Sequence, residues 1–213
     1  MSVTDINIRL KSVAVITYTE PMVRWQPGTS ERLQAAALEL FAGRGYEQTT
    51  AAEIAQSVGL TERTFFRHFS DKREVLFRGQ ELLTEAFLGG IAAAPEGATP
   101  MELVAAALDS VADFFPSERR SHSRLRQSVI DQNPALQERE RHKMSVLASA
   151  IGDALRERGV AEPTATLAAQ SAGMVFGIAF TQWIREGEER SIMDIEHELL
   201  AELRGLAGAL PTS

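Results

Sequence analysis

The sequence predicts an all-α protein with an N-terminal three-helix head, containing a helix-turn-helix, followed by a larger C-terminal helical bundle. From residue 29 onward, apolar residues recur with the three-to-four-residue period of amphipathic helices. After residue 30, no segment shows the alternation of apolar and polar residues that marks a half-buried strand. The chain has 213 residues, which is long enough to bury a core in a small head and in a larger bundle.

Residues 1–28 differ from the rest and are expected to form a flexible N-terminal extension. Alternating β-forming residues at 13–19 suggest a short strand there. One interpretation is a loose arm, or a start assigned too early, with Met22 as the true initiator. The other is an arm that places basic side chains on DNA, as some N-terminal arms do. The basic candidates are Arg9, Lys11 and Arg24.

The first head helix is predicted to begin at Thr29 and to end at Gly43 and Gly45. Thr50 followed by Glu53 has the capping-box pattern that starts a second helix. The first helix carries an apolar stripe with helical spacing, formed by Leu33, Ala36, Ala37, Leu40 and Phe41.

Gly59 is expected to make a tight turn, and Thr61 to cap a third helix whose core side carries Phe65 and Phe69. A fourth helix is predicted from near Lys72 to about residue 93, with the Gly89-Gly90 pair as a helix end. Proline and glycine residues then separate five more predicted helices, at about 100–115, 117–132, 134–159, 162–188 and 191–209.

The formal net charge is −7, but this charge is unevenly distributed. Residues 1–78 contain ten Lys/Arg and nine Asp/Glu, so the acidity lies in the C-terminal part. A DNA-binding face needs a local basic patch, not a basic total. The longest strongly apolar run, at about 172–180, is too short to span a bilayer, and residues 1–20 lack a signal-peptide pattern. We therefore expect a cytoplasmic protein without a membrane partner.

The chemistry of a catalytic site is missing from the sequence. The chain has no cysteine, which excludes disulfides, thiolate metal sites and thiol catalysis. His122, His142 and His197 are scattered and lack metal-ligand spacing. There is no Walker loop, no GxGxxG and no GxSxG motif. We expect no enzyme, no cofactor and no metal site.

The strongest motif is a helix-turn-helix at residues 50–72. On a helical wheel Phe65 points away from one shared face, and that face carries Glu62, Arg63, Phe66 and Arg67. His68 and Lys72 lie at or just after the C-terminal end of this helix, where the DNA phosphates would pass. Thr50, at the start of the second helix, offers another phosphate-binding position. The predicted DNA-binding residues are Thr50, Thr61, Glu62, Arg63, Thr64, Phe66, Arg67, His68 and Lys72.

The chemistry of these side chains suggests their roles. Arg63 and Arg67 can pair bidentately with guanine edges or clamp phosphates. The hydroxyls of Thr61 and Thr64 are short enough to reach a phosphate or a base edge. Glu62 either accepts a hydrogen bond from a cytosine amino group or stabilises the helix through a favourable interaction with the helix dipole in the first turn. For each charged residue, the alternative is a solvated surface side chain.

Residues 33–77 resemble the N-terminal domain of TetR-family regulators. The matching residues are Ala36-Ala37, Leu40-Phe41, Gly45-Tyr46, Thr49-Thr50, Ile54-Ala55, Gly59, and Thr64 to Phe69 with Lys72. The resemblance implies an all-α homodimer whose two heads bind double-stranded DNA at a palindromic operator. It also implies repression that is relieved when the C-terminal bundle binds a small molecule.

One position departs from the family pattern. The family usually has a tyrosine where Phe66 stands, and its hydroxyl often contacts phosphate. Phe66 lacks that hydroxyl but can still pack on a thymine methyl group or a sugar. The C-terminal part broadly resembles actinobacterial members of the family, some of which sense hydrophobic or acyl-bearing compounds.

With this resemblance, we assign residues 29–75 to a DNA-binding domain and residues 76–213 to a ligand-binding and dimerisation domain. The segment 162–188 is apolar around most of its circumference, with Leu167, Met174, Ile178 on one side and Phe176, Phe180, Trp183 on another. The segment 191–209 carries a stripe formed by Ile195, Leu199, Leu203, Leu206 and Leu210. These two helices are expected to form the homodimer interface, with Gly173 and Gly177 allowing close approach; the alternative is a packing pair within one chain.

The ligand pocket is predicted from apolar residues on the middle helices, although such stripes are also typical of plain core. Arg124 and His122 are candidates to orient an anionic or polar group. The candidate ligand residues are Phe114, Phe115, Arg124, Leu125, Val129, Met144, Leu147, Ile151 and Phe176. Two other functions compete: a helical ligand carrier or scaffold that does not read DNA, which the acidic total and Phe66 favour slightly, and an enzyme inside the bundle.

Overall fold

The computed structural model describes the backbone of residues 28–208 and the side chains of residues 28–206. This part of the chain is helical throughout and contains no strand, which confirms the all-α prediction. Its α-helices are α1 (Thr29–Arg44), α2 (Ala51–Ser57), α3 (Glu62–His68), α4 (Gln80–Ala93), α5 (Pro100–Asp109), α6 (Arg120–Asp131), α7 (Pro134–Glu157), α8 (Thr164–Trp183) and α9 (Ile192–Gly208). The suggested strand at 13–19, the start at Met22, the arm residues Arg9, Lys11 and Arg24, and Leu210 lie outside the described residues.

The chain between the head and the bundle differs from the prediction of one continuous helix from Lys72. Residues Arg73–Phe77 form a 3-10 helix, because Asp71 Oδ1 accepts the backbone N–H groups of Arg73 (2.7 Å) and Glu74 (3.2 Å). The backbone then breaks at Gly79, with φ of 90°, before α4 begins. Only glycine adopts this conformation without strain, so the predicted continuous helix is wrong.

Gly89 and Gly90 lie inside α4 and do not end a helix, contrary to the prediction. A Cβ on Gly90 would lie 2.3 Å from the Ala106 carbonyl oxygen of α5, so the backbones of α4 and α5 are in contact there. A Cβ on Gly89 would meet nothing within 4 Å. The glycine at position 90 is therefore explained by a helix–helix contact.

The other helix ends shift by a few residues. The helix predicted at 100–115 ends at Asp109, where the Ser110 hydroxyl donates to the carbonyls of Ala107 (2.6 Å) and Ala86 (2.7 Å). Short 3-10 turns follow at Ala112–Phe114 and Ser117–Arg119. The helix predicted at 162–188 ends at Trp183, before the left-handed turn at Gly187.

The three head helices enclose one apolar core that the C-terminal part completes. Leu33 of α1, Ile54 of α2 and Phe65 of α3 are fully buried in it. Three buried residues around the turn from α6 to α7 belong to the same cluster, namely Val129, Ile130 and Leu136. The 3-10 residues Val75, Leu76 and Phe77 are buried there too. The end of α6 is therefore part of the head.

The bundle core is built around α8, which packs against α5, α7 and α9. Phe176 and Trp183 are among its buried residues. Within residues 28–208, α8 is the one helix long and apolar enough to cross a bilayer by length and composition. Part of its apolar surface lies against neighbouring helices in the bundle core, and another part faces outward.

Candidate nucleic-acid interface and ligand cavity

The helix-turn-helix forms where the sequence predicts it. At the start of α2, the Thr50 hydroxyl accepts from the Glu53 N–H (3.2 Å) and the Glu53 carboxylate accepts from the Thr50 N–H (2.8 Å), so the predicted capping box is confirmed. Gly59, with φ of 73°, makes the turn. The Thr61 hydroxyl accepts from the Thr64 N–H (3.3 Å) and caps α3, as predicted.

The α3 helix has one buried side and one exposed face. Phe65 is 0% exposed in the head core, whereas the neighbouring Phe66 is 49% exposed. Arg63, Phe66 and Arg67 are exposed, and with Thr64 they line a shallow depression. Glu62 is exposed in the first turn. The face therefore presents one apolar ring together with two cations, on a helix that is held by its core side.

The remaining predicted contacts are exposed to different extents. The Thr50 hydroxyl already donates to the Glu53 carboxylate at 2.8 Å. The hydroxyls of Thr61 and Thr64 form a hydrogen bond with each other at 3.0 Å. His68 is exposed at the end of α3. Contact of these residues with DNA stays a prediction.

Lys72 has a structural role within the head, and its contact with a phosphate stays a prediction. Its ammonium group donates to the backbone carbonyls of Tyr46 (2.8 Å) and Thr49 (3.0 Å). The same nitrogen lies 4.0 Å from the centroid of the Tyr46 ring, within the range of a cation–π contact. Lys72 thus fixes the loop between α1 and α2, and two of the three N–H donors of an ammonium group are used within the head.

A cavity of about 600 Å³ lies where the head meets the bundle. Its apolar lining includes an aromatic cluster formed by Phe115, Phe176 and Phe180, together with Phe114 and Met144. The ring centroids of Phe115 lie 5.6 Å from Phe176 and 5.7 Å from Phe180. A cavity of this size is large enough for a drug-sized molecule.

The ionisable lining of the cavity is mainly basic. Among the ionisable side chains that line it, one is acidic, Glu140, and the others are Arg78, Arg119, His122, Arg126, Arg141 and Lys143. Burial lowers the pKa of His122, and the guanidinium groups of Arg119 and Arg126 lower it further. The lining therefore combines an aromatic surface with groups that attract an anion.

The structure brings four of the predicted ligand residues to this cavity, namely Phe114, Phe115, Met144 and Phe176, together with His122. The other five lie elsewhere. Arg124 donates to the carbonyls of Ile184 (2.6 Å) and Arg185 (2.9 Å). Leu125 is 40% exposed at the surface, and Val129 is in the head core. Leu147 and Ile151 pack in the bundle core, so we remove all five from the candidate site.

Sequence reasoning missed Arg126, which lines the cavity and contacts the head. Its Nε donates to the Leu76 carbonyl at 2.7 Å, and its Nη1 donates to Glu140 at 3.3 Å. Burial lowers the pKa of Arg126, and Glu140 opposes that shift. One signal was present: Arg126 lies four residues after His122, on the same face of a helix.

The α8 helix also has an outward apolar face. Leu167, Met174 and Ile178 are 66%, 48% and 41% exposed. A Cβ added at Gly173 or Gly177 would meet nothing within 4 Å. In contrast, Ile195, Leu199 and Leu203 of α9 pack against the core of the same chain, and Leu206 is 73% exposed.

Two family models match the chain. Residues 33–78 match the model described as bacterial regulatory proteins of the tetR family. Residues 98–211, more than half of the chain, match the model of the MftR C-terminal domain. The chain belongs to the TetR family. The resemblance predicted from the helix-turn-helix is therefore confirmed, and the bundle of this TetR-family chain is of the kind found in MftR.

Two TetR-family relatives differ in how much of the chain they match. The transcriptional regulator TcmR of Streptomyces glaucescens is 41% identical over 83 residues, which is 39% of this chain and only 37% of TcmR. MftR of Mycobacterium tuberculosis is 26% identical over 162 residues, which covers 74% of this chain and 81% of MftR.

Solved structures share the TetR-family fold. The repressor FadR of Thermus thermophilus, in complex with lauroyl-CoA, has a TM-score of 0.52 and 24% identity, over 86% of this chain and 96% of that chain. FadR of Bacillus subtilis, in complex with stearoyl-CoA, has a TM-score of 0.58 and 18% identity, over 81% of this chain and 96% of that chain.

Proposed function

We propose that this chain is a ligand-responsive transcriptional repressor that binds a palindromic operator as a homodimer and is released from it by a small molecule. One observation carries the proposal: α3 is fixed by the buried Phe65 and turns Arg63, Phe66 and Arg67 outward, within a head that matches the tetR family model. The protein would act in the cytoplasm as a regulator and not as an enzyme.

On DNA, the exposed face of α3 enters the major groove. Arg63 and Arg67 pair with guanine edges or clamp the flanking phosphates, and Phe66 packs on a thymine methyl group or a sugar. A homodimer through the outward face of α8, together with α9, places two such helices in successive major grooves, about 34–36 Å apart or a multiple of that spacing. A palindromic site matches that symmetry.

The cavity fits an amphiphile with an apolar chain and an anionic group. Phe115, Phe176 and Phe180 offer an apolar surface, and the cationic lining offers donors to an anion. The fold shared with two FadR proteins that bind acyl-CoA supports acyl thioesters of coenzyme A as candidate ligands. Phe114 and Met144 complete the apolar contacts.

Operator binding by variants of α3 tests the DNA-binding part of the proposal. A fragment from upstream of the gene that the wild-type protein shifts in a gel is titrated at several salt concentrations. For Arg67→Ala we expect weaker binding, and a slope of log K against log salt that is less steep by about 0.9 if a phosphate contact is lost. Arg185→Ala, which removes the same charge from an exposed site between α8 and α9, is the matched control. Equal affinity and slope for Arg67→Ala would contradict the assigned face.

Binding of lauroyl-CoA and of laurate tests the ligand class, because both combine an apolar chain with an anion. We expect lauroyl-CoA to bind the protein and to release the operator fragment. Release by laurate at similar concentrations would assign the anion site to a carboxylate and not to the coenzyme. Binding of lauroyl-CoA by a protein that shifts no upstream fragment would favour a ligand carrier without DNA reading.

A further inference from the structure

The α6 helix is tied to both functional parts of the molecule. At its C-terminal end, Val129 and Ile130 are 4% and 0% exposed in the head core. At its N-terminal end, Arg120 donates to the carbonyls of Glu188 and Arg190, in the segment between α8 and α9. Arg124 donates to two further carbonyls just after α8. A movement of α6 relative to the head, or relative to the segment between α8 and α9, must therefore change one of these contacts.

The Arg126 side chain lies in the middle of this bridge and connects three elements. From α6 it donates to the Leu76 carbonyl of the head segment at 2.7 Å and to Glu140 of α7 at 3.3 Å. Its guanidinium carbon lies 5.1 Å from the centroid of the Phe77 ring. Arg126, Glu140, Leu76 and Phe77 all line the cavity. A molecule in the cavity is thus in reach of the contact between head and bundle.

The contact of Arg126 with Glu140 is open to competition. At 3.3 Å it is longer than the roughly 2.7–2.9 Å of a good charge-assisted hydrogen bond. Glu140 also accepts from Gln127 at 3.1 Å, so it keeps a partner if Arg126 leaves. Among the described residues, no acceptor is hydrogen-bonded to Nη2 of Arg126. An anion in the cavity can therefore replace Glu140 as the partner of Arg126, and the Glu140 carboxylate still keeps its hydrogen bond from Gln127.

We infer that Arg126 couples the cavity to the head. The anionic group of a ligand replaces Glu140 as the partner of the Arg126 guanidinium, and the hydrogen bond from Arg126 to the Leu76 carbonyl breaks as the side chain moves towards the ligand. This inference rests on the proposed function. The freed carbonyl belongs to the 3-10 segment Arg73–Phe77, which is followed by the backbone break at Gly79. Release at this point loosens the segment that joins the head to α4, so the spacing of two heads on an operator is no longer fixed.

Lys143 and Arg119, which also line the cavity, do not have this combination. Lys143 pairs with the Glu74 side chain at 3.0 Å, which leaves the head backbone untouched. Arg119 donates to the Phe114 carbonyl at 3.0 Å, within its own segment of the chain. Arg124 also donates to two carbonyls, but it does not contact the head or line the cavity. Arg124 is therefore a matched control for Arg126 on the same helix.

The test measures the coupling between lauroyl-CoA and the operator fragment. The dissociation constant for the fragment is measured with and without saturating lauroyl-CoA, and that for lauroyl-CoA with and without the fragment. In the wild-type protein both ratios equal the same coupling factor, for which about 5–150-fold is typical. For Arg126→Gln, which lacks the donor to Leu76, we expect fragment binding without lauroyl-CoA to weaken towards the value that the wild-type protein has with lauroyl-CoA, and the coupling factor to fall towards one. Arg124→Gln should keep the wild-type factor.

Two further variants separate coupling from stability. Arg126→Lys keeps the charge but loses the planar set of donors, so lauroyl-CoA should still bind while the coupling factor falls. Glu140→Gln weakens the competing partner of Arg126, so it should tighten lauroyl-CoA binding. An unchanged coupling factor in Arg126→Gln overturns the inference, as does unchanged or weaker lauroyl-CoA binding in Glu140→Gln. Failure of the wild-type protein to bind any fragment would instead refute the proposed function, and the inference with it.

Discussion

Lys72 stabilises the loop that leads from α1 into the helix-turn-helix. Its ammonium group donates to two backbone carbonyls and lies over the Tyr46 ring. In Lys72→Met these carbonyls lose a charged donor, so we expect the free energy of unfolding to fall by about 1–3 kcal/mol in urea titrations. Arg67→Met, at an exposed site of α3, is the control and should change it by less than about 0.5 kcal/mol. Unchanged stability of Lys72→Met would contradict this structural role, and a smaller salt slope in operator binding would support the predicted phosphate contact of Lys72.

Glu196 is a buried acid on α9 that lacks partners. It is 0% exposed, and neither carboxylate oxygen has a hydrogen-bond partner among the described residues. Burial raises the pKa of Glu196 to about 8, and the negative charge of Asp109 adds to that shift. Because the folded-state pKa lies above the ordinary value of 4.5, the stabilising effect of the bound proton is complete below that value and is lost as pH rises through about 8.

This titration predicts how a Glu196→Gln variant responds to pH. Gln resembles the protonated acid but cannot ionise, so its free energy of unfolding should exceed that of wild type by an amount that grows from pH 5 to pH 8.5. A gain of more than about 1 kcal/mol over this interval is expected. Glu202→Gln, an exposed neighbour on α9, should follow the wild-type pH curve. Parallel curves for Glu196→Gln and wild type would show that Glu196 is already ionised in the folded protein.

The contact of α4 with α5 depends on one glycine of an adjacent pair. A methyl group on Gly90 would collide with the Ala106 backbone, whereas one on Gly89 would meet nothing within 4 Å. We expect Gly90→Ala to lower the free energy of unfolding by about 1–3 kcal/mol, because the two helices must separate. Gly89→Ala should raise it by about 0.5–1 kcal/mol, since alanine is the better helix former. Thermal unfolding of both variants measures this contrast, and equal effects would refute the close contact.

Elements whose signals are local in sequence could be predicted, and contacts across the fold could not. Thr50 and Glu53 cap α2 from positions three residues apart, so their pattern is visible in the chain. Arg126 binds a carbonyl 50 residues away, and a backbone acceptor leaves no mark on the sequence. Gly90 looks like a helix end until α5 is placed beside it. The same limit explains why Leu147 and Ile151, apolar at helical spacing, were assigned to the ligand site and lie in the core.

The outward face of α8 provides the test of assembly. Ile178 is the C-terminal residue of the exposed stripe that also contains Leu167 and Met174. We expect wild-type protein to sediment as a dimer and Ile178→Glu to sediment as a monomer that binds the operator fragment weakly, because a buried unpaired charge opposes association. Val146→Glu is the control, since Val146 is 54% exposed on a different helix, α7. A dimeric Ile178→Glu protein would show that the dimer interface does not include this face of α8.

The burial of Val129, Ile130 and Leu136 beneath the head constrains how such regulators can be recombined. A DNA-reading module excised after residue 78 would leave its apolar underside open to water and would tend to aggregate. A chimera that exchanges DNA specificities between two members of the family must therefore include the α6–α7 corner together with the head helices. Otherwise, the buried residues of this corner must be redesigned to pack against the new head. Chimeras joined at residue 78 would expose these apolar residues and would therefore be poorly soluble, whichever operator their heads recognise.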